Sequence, residues 1–74
     1  MKHYKASFKG DKSIDEIQQA VGRGGGLLTR VQVEKGETHV YYAAEKGAEG
    51  HGKHLRDAGA GDPSEVSESE VTKL

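Results

Sequence analysis

The stretch that most constrains this chain is Leu27–Ala44, LLTRVQVEKGETHVYYAA. Two runs of alternating residues flank Lys35-Gly36. Leu27, Thr29, Val31 and Val33 alternate with Leu28, Arg30, Gln32 and Glu34, the period-2 signature of a strand with one buried face. Thr38, Val40, Tyr42 and Ala44 alternate in the same way with Glu37, His39, Tyr41 and Ala43. A two-residue turn at Lys35-Gly36 needs positive φ at both positions, which Gly36 accepts more readily than Lys35. The resulting register sets Val33 against Thr38, Val31 against Val40 and Thr29 against Tyr42. A three-residue turn would pair Val31 with His39 and mix the faces, so the pattern selects the first register. Its cost is Glu34 facing Glu37, a few tenths of a kcal/mol. Each buried β-branched side chain returns roughly 1.5–3 kcal/mol.

Upstream, residues 2–9 also alternate. Tyr4, Ala6 and Phe8 point one way, and His3, Lys5, Ser7 and Lys9 the other. Gly10-Asp11-Lys12 is turn chemistry. Ser13 with Glu16 three residues on forms a capping box, and Asp15 and Glu16 suit a helix N-terminus. Ile14, Ile17, Ala20 and Val21 make a stripe of about two turns, short enough to require a sheet to pack on. Gly22 is the expected αL stop, and the glycines at 24–26 read as a flexible connector.

The predicted order is strand, helix, strand, strand. The simplest sheet sets the third strand in the middle, order 1-3-2, with the helix on one face through a right-handed crossover. This is a small α+β domain, a β-α-β-β unit that is half of a ferredoxin-like arrangement, spanning residues 1–45. Residues 46–74 are rich in Gly, Ala and charge, and read as a polar, largely disordered tail. Hydrophobic residues are only 32% of the chain. A core of about 45 residues rarely supplies more than ~3–5 kcal/mol unaided. With no cysteine to staple it, pairing of two copies across the free edge of the first strand is the expected remedy, hence a homodimer.

Net charge is −1. Residues 1–44 hold seven Lys/Arg and five Asp/Glu, whereas 45–74 hold four and seven. A mildly basic domain carrying an acidic tail follows. No apolar run approaches the ~18 residues of a membrane span, and no signal-peptide pattern opens the chain. The absence of cysteine makes a reducing cytoplasm the expected compartment.

The residues that carry chemistry are few. The polar sheet face carries one exposed aromatic, Tyr41, and brings it with His39 of the central strand between Lys5 and Arg30. An aromatic flanked by cations is how single-stranded nucleic acid is held, the ring stacking a base and the cations meeting phosphates. Lys5, Arg30, His39 and Tyr41 are therefore the candidate binding residues. The glycine run follows a helix rather than preceding one, unlike a phosphate loop. His51 and His54 share a helical spacing, and His3 and His39 sit on adjacent strands, but zinc wants three or four ordered ligands. No metal or cofactor is expected. No nucleophile, base and orienting group stand in a recognisable order, so enzyme activity is not expected. Ser64, Ser67 and Ser69 lie among glutamates that would repel added phosphate. The reading is a small non-enzymatic accessory protein acting through protein–protein interaction. The alternative is a weak nucleic-acid-binding module on the polar sheet face.

Overall fold

A computed structural model describes residues 2–10, 12–45 and 48–73. The hairpin forms in the expected register. β2 (Leu27–Glu34) and β3 (Glu37–Ala44) pair antiparallel, with Val33 against Thr38 and Val31 against Val40. Lys35 and Gly36 both adopt positive φ, 46° and 79°, as a two-residue turn demands. β1 (Lys2–Lys9) lies antiparallel to the other side of β3, Lys5 facing Tyr41 and Phe8 facing Thr38. The strand order 1-3-2 is therefore present.

The sheet is nevertheless four-stranded, which corrects the three-strand expectation. After β3 come α2 (Ala48–Asp57), β4 (Ser64–Val66) and α3 (Glu68–Lys73). β4 pairs antiparallel with β1, His3 facing Val66 and Lys5 facing Ser64. The full order is β2-β3-β1-β4. Two β-α-β units are interleaved, completing the split pattern of which the sequence disclosed only half. Residues 46–74, expected from their composition to be a tail, thus supply a strand and a core side chain. β4 is three residues of Ser-Glu-Val, too short and polar to announce a period. The β1 edge, on which a dimer was expected, is occupied by β4 and by a bridge from Phe8 to Ala60.

α1 (Ile14–Arg23) begins as predicted, the Ser13 hydroxyl accepting from the Glu16 N–H at 3.2 Å. Ile17, Ala20 and Val21 are buried, but Ile14 is 57% exposed and lies outside the core stripe. Gly22 is not the stop, because it stays helical. Gly25, at φ 80°, takes the αL position. Its N–H reaches the Gly22 carbonyl (3.0 Å), and the Gly26 N–H reaches that of Val21 (2.9 Å). This is a Schellman cap, so the glycine run is a built terminus with its backbone groups satisfied. α2 ends in the same way: Gly59, at φ 107°, and Ala60 donate to Arg56 and Leu55.

The core lies between the sheet and the α1–α2 layer. Tyr4, Ala6 and Phe8 of β1 and Val40, Tyr42 and Ala44 of β3 meet Ile17, Ala20, Val21 and Leu55. Thr38 is fully buried. Its hydroxyl donates to the Gly10 carbonyl (2.8 Å) and accepts the Lys12 N–H (3.3 Å), tying the β1–α1 turn to the sheet. Leu55 is the only large aliphatic in α2, a helix that also carries Gly50 and Gly52. Such glycines cost about 1 kcal/mol each in a helix interior. At Gly52 the reason is contact: a Cβ would meet Pro63 at 3.2 Å. The chain passes that close on its way to β4, and Arg56 pairs with Asp62 (2.9 Å) along the same path.

The start of β2 departs from strict alternation. Leu28, not Thr29, faces Tyr42, and the register shifts between Leu28 and Arg30. Thr29 is the extra residue of a bulge, and its hydroxyl donates to the Tyr41 carbonyl at 2.9 Å. The bulge turns Leu28 toward the core and leaves Leu27 61% exposed. Val33, expected inside, is 58% exposed. β2 is the outermost strand, and near its end too little lies over Val33 to cover it.

Candidate interaction surfaces

The sheet face opposite the helices carries the residues singled out for binding. Tyr41 faces Lys5 on one side and Arg30 on the other, so the predicted row forms across three strands. The tyrosine is not an open platform, however. It is 6% exposed, and the Lys5 Nζ lies 5.7 Å from its ring centroid. A ring so covered contributes to the face as packing for the lysine stem and as a cation–π partner. The expectation of an exposed aromatic is corrected accordingly.

One row along, His39 faces Ser7 and Gln32. Its Nδ1 is 2.9 Å from the Ser7 hydroxyl, and its Nε2 is 3.5 Å from a Glu37 carboxylate oxygen. Sequence reasoning missed Ser7 and Glu37. The signal was the register itself, because a correct β1–β3 pairing puts Ser7 beside His39. Serine, imidazole and carboxylate in contact resemble acyl-transfer sites by residue type. A depression of about 470 Å³ lies alongside, lined by Ser7, Glu37 and Gly59–Gly61. Acyl transfer also needs free donors aimed at a developing oxyanion. Three of the amides lining this depression are spent: Gly59 and Ala60 cap α2, and Gly61 donates to the Ser7 carbonyl (3.0 Å). The Ser7–His39 contact links β1 to β3 across the strands.

His3 faces Ala43, four residues along β1 from the Ser7–His39 pair. At ~3.4 Å per residue that is roughly 13 Å, too far for His3 and His39 to share an ion. No group of three metal-ligating side chains occurs among the described residues. The His51–His54 pairing lies outside the described side chains. Tyr4 and Tyr42 stack at 5.6 Å on the core side. Burial, and then the neighbouring Tyr4, push the Tyr42 phenol well above its ordinary value.

A second surface is an edge. Among the described residues β2 pairs with β3 alone, and its eight residues contrast with the three of β4 at the opposite edge. In the two-residue turn Glu34 bonds Glu37, so pairing alternates back along β2 and the amides of Val31 and Val33 point outward. Val33 and Ile14 lie at the same end. Val33 faces Thr38, which also holds Lys12, two residues before Ile14.

A third is the groove between α1 and α2, about 300 Å³, lined by Lys12, Glu16, Arg23, His54 and Asp57. Lys12 and Glu16 pair across one turn at 3.0 Å. Mixed charge along an open groove gives no selectivity for an ion of either sign. No helix among the described residues is long and apolar enough to cross a membrane. Comparison with protein-family models, with curated proteins and with solved structures finds no match in any of the three.

Proposed function

We propose that this chain is a non-enzymatic binding module that acts through protein–protein contact, with β2 as the contacting strand. The observation that carries the reading is the long edge of β2, paired on one side only and bearing a half-exposed Val33. An added strand would satisfy its outward amides and carbonyls and cover the valine. The test compares affinity capture from the host by the full chain and by Val33→Pro. Proline removes an outward N–H and is tolerated on an edge. A protein recovered by the parent and lost with the proline variant is the expected result. Recovery of nucleic acid alone, or equal capture by both, would refute it.

A second reading is favoured by the Lys5–Tyr41–Arg30 row. Here the polar sheet face, with His39, holds a nucleic-acid backbone weakly through its cations. Binding of mixed-sequence single-stranded RNA that fades steeply with salt would support it. Salt-insensitive binding, or none, would remove it.

A further inference from the structure

The β2 edge carries more information than its exposure. Arg30, Gln32 and Glu34 share the polar face, and Val31 and Val33 the helix face. We infer that the strand which completes this edge is a second copy of β2, antiparallel about a twofold axis at Gln32. The inference rests on the edge reading just given and names its partner. In that register Val31 faces the partner's Val33, and Arg30 faces the partner's Glu34, each twice by symmetry. The residues with outward amides are the two valines, so the hydrogen-bonding phase and the side-chain match coincide. Lys or Glu of one sign along an edge would oppose self-pairing. Opposite charges four residues apart, centred on Gln32, favour it. An axis at Val31 sets Arg30 against Gln32 and Glu34 against Leu28, leaving both charges without a partner.

The bulge at Thr29 and the turn at Lys35-Gly36 bound the ladder to residues 30–34. Pairing therefore closes on itself. The other edge, β4, is too short to extend the sheet, and the product is a dimer rather than a fibre. Val33 is covered at each end of the ladder.

The experiment uses the full chain, which contains no cysteine, so an introduced thiol is the only one. In Gln32→Cys the two sulfurs meet on the axis within disulfide reach. In Glu34→Cys they stand about four residues apart, beyond it. Mild oxidation is expected to give a covalent dimer from Gln32→Cys at least roughly tenfold faster than from Glu34→Cys. Light scattering at high micromolar concentration is expected to give twice the chain mass. Arg30→Glu should weaken the dimer roughly 3- to 30-fold, since two cross-strand pairs become repulsive. Adding Glu34→Arg should restore it. A monomeric mass throughout, equal cross-linking at both positions, or no rescue by the double swap would overturn the twofold pairing. A monomer that still loses a captured protein on Val33→Pro would overturn this inference and leave the edge reading standing.

Discussion

Leu55→Ala is the sharpest test of whether the second half of the chain belongs to one core. Leu55 is fully buried and meets side chains from β1, β3 and α1. Truncating such a leucine costs about 2–5 kcal/mol, depending on how far the site collapses. A chain of 74 residues at ~0.05–0.15 kcal/mol per residue has about 4–11 kcal/mol in total. The substitution therefore removes a large fraction of the stability. With a urea slope of ~1 kcal/mol/M for a domain this small, the midpoint should fall by at least ~2 M. Urea titration followed by circular dichroism measures it, with Leu27→Ala as control. Leu27 is 61% exposed, and its loss should stay within about 0.5 kcal/mol. If Leu55→Ala and Leu27→Ala shift the midpoint equally little, α2 does not join the core and the four-stranded description fails.

Two glycines four residues apart should respond with opposite signs. A Cβ at Gly26 would meet Val21 at 3.0 Å and Tyr42 at 3.2 Å, so Gly26→Ala should cost about 1–3 kcal/mol. Gly22 is helical with open space around its Cβ position, so Gly22→Ala should gain about 0.5–1 kcal/mol; melting temperatures moving the same way would contradict both. Lys35→Asn should stabilise by a few tenths of a kcal/mol, because Lys35 holds φ 46° and asparagine tolerates that region better. A lower urea midpoint would count against this assignment of the turn. The Tyr42 phenol is held above its ordinary value by burial and by Tyr4. Its contribution is thus complete below about pH 10, the unfolded value, and is lost as pH rises beyond it, because the unfolded chain releases that proton first. Tyr42→Phe should flatten the decline in urea midpoint between pH 9 and 11, and an unchanged slope would sink the assignment.

The hairpin was legible because its two strands alternate and Gly36 marks the turn. The capping box was legible because Ser13 and Glu16 are local chemistry. What stayed hidden depends on contacts distant in sequence. Nothing in Ala48–Asp57 suggests a buried face, since Leu55 is its one large aliphatic and the glycines argue against a helix. The close approach of Pro63 and Arg56 accounts for the glycine at position 52. The bulge was equally hidden. Thr29 fits an alternating strand by type, and its role becomes visible only once its hydroxyl meets the Tyr41 carbonyl. The alignment of Lys5, Tyr41 and Arg30 across three strands was legible because it follows from strand order. Tyr41 was misjudged because exposure depends on what its neighbours cover. Ser7 was overlooked for the opposite reason, since a serine on a strand gives no signal until its cross-strand partner is known.

Interleaving of the two β-α-β units sets the order in which this protein can assemble. The hairpin joins near neighbours and closes a short loop. The β1–β3 pairing must wait for α1 and β2, and the β1–β4 pairing for nearly the whole chain. Loop closure costs free energy before distant contacts return any. Folding should therefore nucleate on the hairpin and add β4 last. Val40→Ala is then expected to slow refolding, and Val66→Ala mainly to speed unfolding. The reverse pattern in stopped-flow measurements would place the nucleus elsewhere. On a ribosome the same order means that β1 emerges first and finds its outer partner last. Until residue 66 is made, the eight-residue edge of β1 stands open to strangers beside that of β2, where the finished sheet offers only the three residues of β4.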